Sequence, residues 1–156
     1  MTTTVNHLPL SFDQFFADHF TRLVRFAALL CGDAQRAEEL AQEAMMAVHQ
    51  RWDVVDEPLA FAHRCVVNAS HDLTRREMRW RRRVHLLAAS PGVAPEHREL
   101  ADALAALPVP QRTALVLRYY GGCTDAEVAA AMDVPLGTAK SHLQRGLEAL
   151  RRTVER

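Results

Sequence analysis

From Ser11 onward, apolar residues return every three or four positions in one segment after another, the pattern of helices that each bury one face. Leu23, Phe26, Ala27 and Leu30 form a first stripe that stops at Cys31 and Gly32. Asp33 can cap a second helix running to about Arg51, with Ala37, Leu40, Ala41, Ala44 and Val48 facing inward. Its opposite face carries Glu39, Gln42 and Met46, with Glu43 beside them. A methionine among exposed carboxylates hints at a protein contact, because covering its apolar surface is favourable; an ordinary solvated face is the bland alternative. The short acidic loop WDVVDEP, Trp52 to Pro58, precedes a third helix, and proline suits a first helical turn. There Ala62, Cys65, Val66, Ala69 and Leu73 point to the core, while Asn68, Asp72, Arg75, Arg79 and Arg82 line one polar stripe. The segment Val84 to Glu96 holds two prolines and a glycine without a sustained period, so it reads as a linker. Fully extended, it spans on the order of 40 Å. Beyond it, His97 to Leu107 and Val109 to Tyr120 form two further helices. The first ten residues show no period.

The stretch Thr124 to Leu150 reads as two helices joined by a turn of about three residues, the arrangement that holds one helix rigidly in a DNA major groove. Thr124 and Glu127 have the spacing of a reciprocal cap that fixes where the first helix begins. Asp133, Val134 and Pro135 end it, because proline cannot continue the amide ladder. On the second helix Leu136, Ala139, Leu143, Leu147 and Leu150 share a buried face. Thr138, Ser141, Arg145 and Arg152 then point outward, with Lys140 and His142 on the flanks. A hydroxyl at a helix start and a guanidinium one to two turns later suit phosphate anchoring and bidentate bonding to guanine. Many two-helix corners bind nothing, so periodicity alone leaves DNA contact and plain solvation open.

Length and composition narrow the class. A chain of 156 residues, nearly half of them apolar and only six of them glycine, suits one ordinary domain or two small ones built from helices. We expect an all-α fold: two small helical domains joined by a flexible linker, the second with a helix-turn-helix. No apolar run approaches about 18 residues and no basic-then-apolar leader is present, so we expect no membrane insertion, no secretion and a cytoplasmic protein. Cys31, Cys65 and Cys123 are odd in number, with no Cys-x-x-Cys pair, and read as small apolar residues rather than a disulfide framework or zinc site. The eight histidines show no His-x-x-x-His pair beside a carboxylate. There is likewise no nucleophile with a neighbouring base and no phosphate-binding glycine loop. No catalytic residue, metal or cofactor is therefore expected.

The formal charge is zero, with nineteen basic and nineteen acidic residues, but it is segregated. Residues 1–57 hold four basic and nine acidic residues, 58–89 hold seven and two, and 90–156 hold eight and eight. An acidic front and a basic middle suggest two different partners. Within the basic part, six of the nine residues from Arg75 to Arg83 are arginine and Trp80 lies among them, a combination that suits a nucleic-acid backbone with unstacked bases.

Met132 to Leu150 resembles the end of region 4 of bacterial sigma factors through Val134, Pro135, Gly137, Thr138, Lys140, Ser141, Leu143 and Arg145. Four positions depart from that pattern: Asp133 stands for a turn glycine, Ala139 for valine, His142 for arginine and Gly146 for alanine. Aspartate tolerates a left-handed turn, whereas glycine inside a helix costs about 1 kcal/mol relative to alanine. Gly32 to Glu43, GDAQRAEELAQE, is similar to a string in region 2 of the extracytoplasmic-function group of sigma factors, here of actinobacterial type. Asn68, Asp72, Arg75 and Arg76 match the spacing that follows it, and Leu107, Pro108, Gln111, Arg112 and Leu117 match the opening of region 4.

The resemblance implies region 2 over residues 11–83, a linker over 84–96 and region 4 over 97–156. It implies that Glu39, Leu40, Gln42, Glu43 and Met46 bind core RNA polymerase, whose largest-subunit clamp and flap would be the partners. Trp52, Asn68, Asp72, Arg75, Arg76, Arg79 and Arg82 would engage the minus-10 promoter element, with Asn68 and the Trp52–Glu57 loop holding a base flipped from the melted strand. Gly137, Thr138, Lys140, Ser141, His142 and Arg145 would read the minus-35 element. Members of the group are often held inactive by an anti-sigma factor. The rival readings are a DNA-binding regulator that never touches polymerase, which leaves the Met46 face and the arginine cluster without a shared purpose, and a helical enzyme, for which no chemistry is found.

Overall fold

The computed structural model describes residues 11–81 and 98–155, with side chains placed except at 73–81 and 98. Every regular element among the described residues is helical. The first helix, α1 (Phe12–Cys31), begins where the Ser11 hydroxyl accepts the Gln14 amide at 3.2 Å. It ends at Gly32, whose φ of 73° turns the chain left-handed while its amide closes on the Ala28 carbonyl at 2.8 Å. Asp33 then caps α2 (Ala34–Gln50) through the Arg36 amide at 2.9 Å. A turn held by the Val54 and Val55 amides on the Arg51 carbonyl leads into α3 (Pro58–Arg81). These three helices bury Phe15, Leu23, Phe26, Leu40, Met45, Val48 and Val66 as the core of a front lobe.

The rear lobe consists of α4 (Arg98–Ala105), α5 (Val109–Leu115), α6 (Asp125–Met132) and α7 (Leu136–Val154). Where the pattern predicts one helix from Val109 to Tyr120, α5 widens at Val116–Tyr120 into a single π-helical turn. The Gly121 amide reaches back five residues to the Val116 carbonyl at 2.9 Å. Gly121 makes this possible, since a Cβ there would lie 2.8 Å from the Leu117 carbonyl oxygen.

The two lobes share one core. Arg112 of α5 donates to the Leu30 carbonyl at 3.0 Å, and Arg22 of α1 donates to the Tyr120 carbonyl at 3.0 Å with its guanidinium over the Tyr120 ring. His71 of α3 meets the Thr113 hydroxyl at 3.1 Å. This contact explains a difference from the sequence pattern on α3. Ala62 and Val66 are buried as expected, and Cys65 and Ala69 are half-buried, but His63, Val67 and Ser70 are buried too. A second face of the helix is covered by the rear lobe, and polar residues on that face hide it from a periodicity argument.

Candidate promoter and polymerase interfaces

The helix-turn-helix is fixed by local chemistry. The Thr124 hydroxyl accepts the Glu127 amide at 3.2 Å and the Glu127 carboxylate accepts the Thr124 amide at 2.7 Å, the reciprocal cap expected from the spacing. Asp133 adopts the left-handed conformation, φ 55°, that a glycine would otherwise supply. The Val134 amide returns to Ala129 at 3.0 Å, which closes α6. Pro135 opens α7, and no side chain caps that end, so its first amides face outward at the positive end of the helix dipole.

Ala139 and Leu143 seat α7 on the rear core, which leaves Gly137, Thr138, Lys140, Ser141 and Arg145 exposed and His142 half-exposed. Leu136 is 45% exposed rather than buried, because it stands at the first residue of α7, ahead of the contacts that begin at Ala139. Gly146 is buried against Leu115, and a Cβ there would come within 2.8 Å of Leu115 Cδ1. The glycine thus lets α7 approach α5 closely, which offsets its poor helix propensity.

On the front lobe Glu39, Gln42, Glu43 and Met46 project from α2, and Met46 is 62% exposed. Leu40 does not join them: it is 3% exposed and belongs to the core, so its part is to hold α2 in place. The α2 face adjoins a groove of about 450 Å3 lined by Phe12, Phe16, Met45 and Met46. Phe16 also lines this groove and is 38% exposed. Its signal in the sequence is an aromatic at helical spacing from Phe12 and Phe20 that leaves the buried stripe of α1.

Trp52 lies in the turn that leads into α3. It is half-buried, with its ring 5.6 Å from Phe12 and 5.5 Å from Phe15, so it anchors the Asp53–Glu57 loop rather than projecting from it. Asn68 and Asp72 are exposed four residues apart on α3. Arg75, Arg76 and Arg79 follow on the same helix, but their side chains, the whole of Arg82 and the linker 84–96 lie outside the described residues.

The three thiols read as apolar fillers: Cys31 and Cys65 are half-buried, Cys123 is buried, and burial is the main cause raising the pKa of each. Among the described residues no group of three or more potential ligands could hold a metal ion, and no helix is long and apolar enough to cross a membrane.

A three-helix front lobe with an exposed acidic face, followed by a capped helix-turn-helix, is the architecture of the sigma-70 class of transcription initiation factors. The sigma-70 region 2 family matches residues 15–81 and the sigma-70 region 4 family matches residues 97–150. The chain is 33% identical to the RNA polymerase sigma-E factor of Streptomyces avermitilis, over 94% of this chain and 86% of that protein. It is 32% identical to the ECF RNA polymerase sigma factor SigM of Mycobacterium tuberculosis, over 91% of this chain and 76% of that one. The fold matches the sigma factor RpoE, solved with the anti-sigma factor NepR from Bartonella quintana, with a TM-score of 0.80 at 22% identity over 92% of this chain and 96% of that one. The chain belongs to the extracytoplasmic-function RNA polymerase sigma factors. It is a non-enzymatic subunit that directs promoter-specific transcription initiation.

Proposed function

We propose that the two lobes divide the labour of initiation between separate surfaces. The α2 face of Glu39, Gln42, Glu43 and Met46, extended by Phe16, docks on the largest-subunit clamp of core RNA polymerase, and the rear lobe engages the flap. Thr138, Ser141 and Arg145, with Gly137, Lys140 and His142 around them, read the minus-35 element in the major groove, the uncapped amides of α7 taking a backbone phosphate. Asn68, Asp72, Arg75, Arg76, Arg79 and Arg82 line the minus-10 strand, with the loop after Trp52 beside a flipped base. Extruding a base costs a few kcal/mol, which contacts to the backbone and a pocket can offset. The cytoplasm is where polymerase and chromosome meet, and we place the protein there. An anti-sigma factor is proposed as a further partner, by analogy with the complex of RpoE.

The observation that carries this reading is the outward row Thr138, Ser141 and Arg145 on an uncapped helix that the Thr124–Glu127 cap and the Asp133 turn hold in place. Binding of the chain to core polymerase and to a duplex carrying the upstream element, measured separately, tests the division. Glu43→Arg weakens the first and spares the second; Arg145→Ala does the reverse, at about 1–3 kcal/mol. Equal losses in both assays from either variant contradict it.

A further inference from the structure

The seam between the lobes has a histidine in its wall. His63 is 7% exposed on α3, and its ring stacks on Phe26 of the front core with centroids 4.5 Å apart and planes 29° from parallel. The other side of the ring meets the rear lobe. A Cβ on Gly121 would lie 3.4 Å from His63 Cε1, and Cys123 Sγ stands 4.0 Å from His63 Nδ1. The ring thus lies between an aromatic face and a stretch of rear-lobe chain, at the edge of a cleft of about 320 Å3 that the two lobes form together.

We infer that this seam is a proton-sensitive latch: a neutral His63 lets the rear lobe close on the front lobe, and a protonated His63 drives the two apart. Among the described residues no carboxylate is hydrogen-bonded to the ring to stabilise a cation. The groups facing it are His19 and Arg22 from α1, Glu57 from the loop before α3, Cys123 from the segment after the π turn, and Glu127 from α6. Arg22 is a fixed cation already held by the Tyr120 carbonyl, and His19 stands on the same helix facing the ring. The carboxylate of Glu127 opposes them, but it is committed to the Thr124 amide. Burial, then Arg22 and then His19, push the His63 pKa down to about 4. Parting the lobes uncovers the ring and returns it toward the ordinary value near 6.5.

The sign follows from linkage. A histidine whose pKa is lower in the closed form supports closure above pH about 6.5, and that support is lost as pH falls toward about 4. Between about pH 7.5 and about pH 5 the open-to-closed ratio rises by up to roughly 25-fold. Only the consequence for transcription rests on the sigma-factor reading. A compact chain of this length is about 40 Å across. The two promoter elements are centred about 80 Å apart along a duplex. Opening is then a precondition for reading both at once. The latch itself is tested without polymerase or DNA.

The full chain is treated with N-ethylmaleimide across that pH range, and modification of Cys123 and Cys65 is read by peptide mass spectrometry, each rate divided by that of a short unstructured thiol peptide at the same pH. In the wild type the normalised Cys123 rate rises toward pH 5, by up to roughly 25-fold, while the Cys65 rate stays flat. In His63→Phe, which keeps a ring and cannot bind a proton, Cys123 stays slow throughout; His63→Gln gives a second non-titrating side chain should the phenylalanine variant misfold. A flat Cys123 rate in the wild type overturns the proposal. So does an equal rise in both non-titrating variants, or a parallel rise at Cys65, which would mark unfolding of the front lobe rather than parting of the lobes.

Discussion

Replacing Arg112 with alanine probes how firmly the lobes are joined. Its Nη1 donates to the Leu30 carbonyl at 3.0 Å and its Nη2 to the Leu107 carbonyl at 3.3 Å, so one guanidinium ties α5 both to its own lobe and to the end of α1. The Leu30 carbonyl lies in the last turn of α1, where carbonyls have no amide ahead of them within the helix. Arg112 therefore satisfies an orphan acceptor and places a positive charge at the negative end of the helix dipole. A hydrogen bond to a charged group contributes about 1.5–3 kcal/mol. The dipole adds about 0.3–1 kcal/mol, and the longer bond adds little. The sum is about 3 kcal/mol, or roughly a hundredfold in the balance between joined and separated lobes. In a urea melt followed by circular dichroism, Arg112→Ala lowers the unfolding free energy by about that amount, and in a thermal melt it lowers Tm by about 6–12 °C. Arg112→Lys falls in between, since one ammonium keeps the charge but cannot hold both carbonyls in the same fork. A variant within about 0.5 kcal/mol of wild type, the range of an inconsequential surface change, refutes the assignment.

Thr124→Ala removes the acceptor for the Glu127 amide and costs about 1 kcal/mol, seen as a Tm loss of about 2–4 °C. No loss would show that water replaces the cap at no cost. Leu143→Ala opens a cavity between α7 and the rear core; it lowers stability by about 2–5 kcal/mol and weakens duplex binding with it, whereas full duplex affinity would mean that α7 does not depend on this seat. Met46→Glu places a charge on the proposed clamp-binding face. Core-polymerase affinity falls about tenfold or more in a competition assay while the helical melt is unchanged, and unchanged affinity would remove Met46 from the interface.

What could be read along the chain was whatever is set within a few residues. The Thr124–Glu127 pair, the stop at Gly32, the cap at Asp33 and the turn at Asp133 depend on one side chain and the nearest amides, and each is found where the residues point. The buried stripes of α1 and α2 follow from their period for the same reason. The seam was not legible, because His63, Ser70 and Thr113 are polar and become buried only through contacts made across long stretches of sequence. Gly146 reads as a defect until Leu115 is seen beside it. Leu40 shows the limit of a motif: it sits among exposed neighbours in the sequence string, yet the helical turn carries it inward. Trp52 is drawn back by Phe12 and Phe15, two aromatics from a different helix.

Run-off transcription by bacterial core RNA polymerase, with and without the purified chain, decides whether the chain confers promoter specificity, using templates that carry or lack one of the two promoter elements. Specific initiation appears only when the chain is added, disappears when either element is scrambled, and is lost in both Glu43→Arg and Arg145→Ala, for different reasons that binding separates. Duplex binding without any association with core polymerase, or initiation indifferent to the upstream element, would contradict the account.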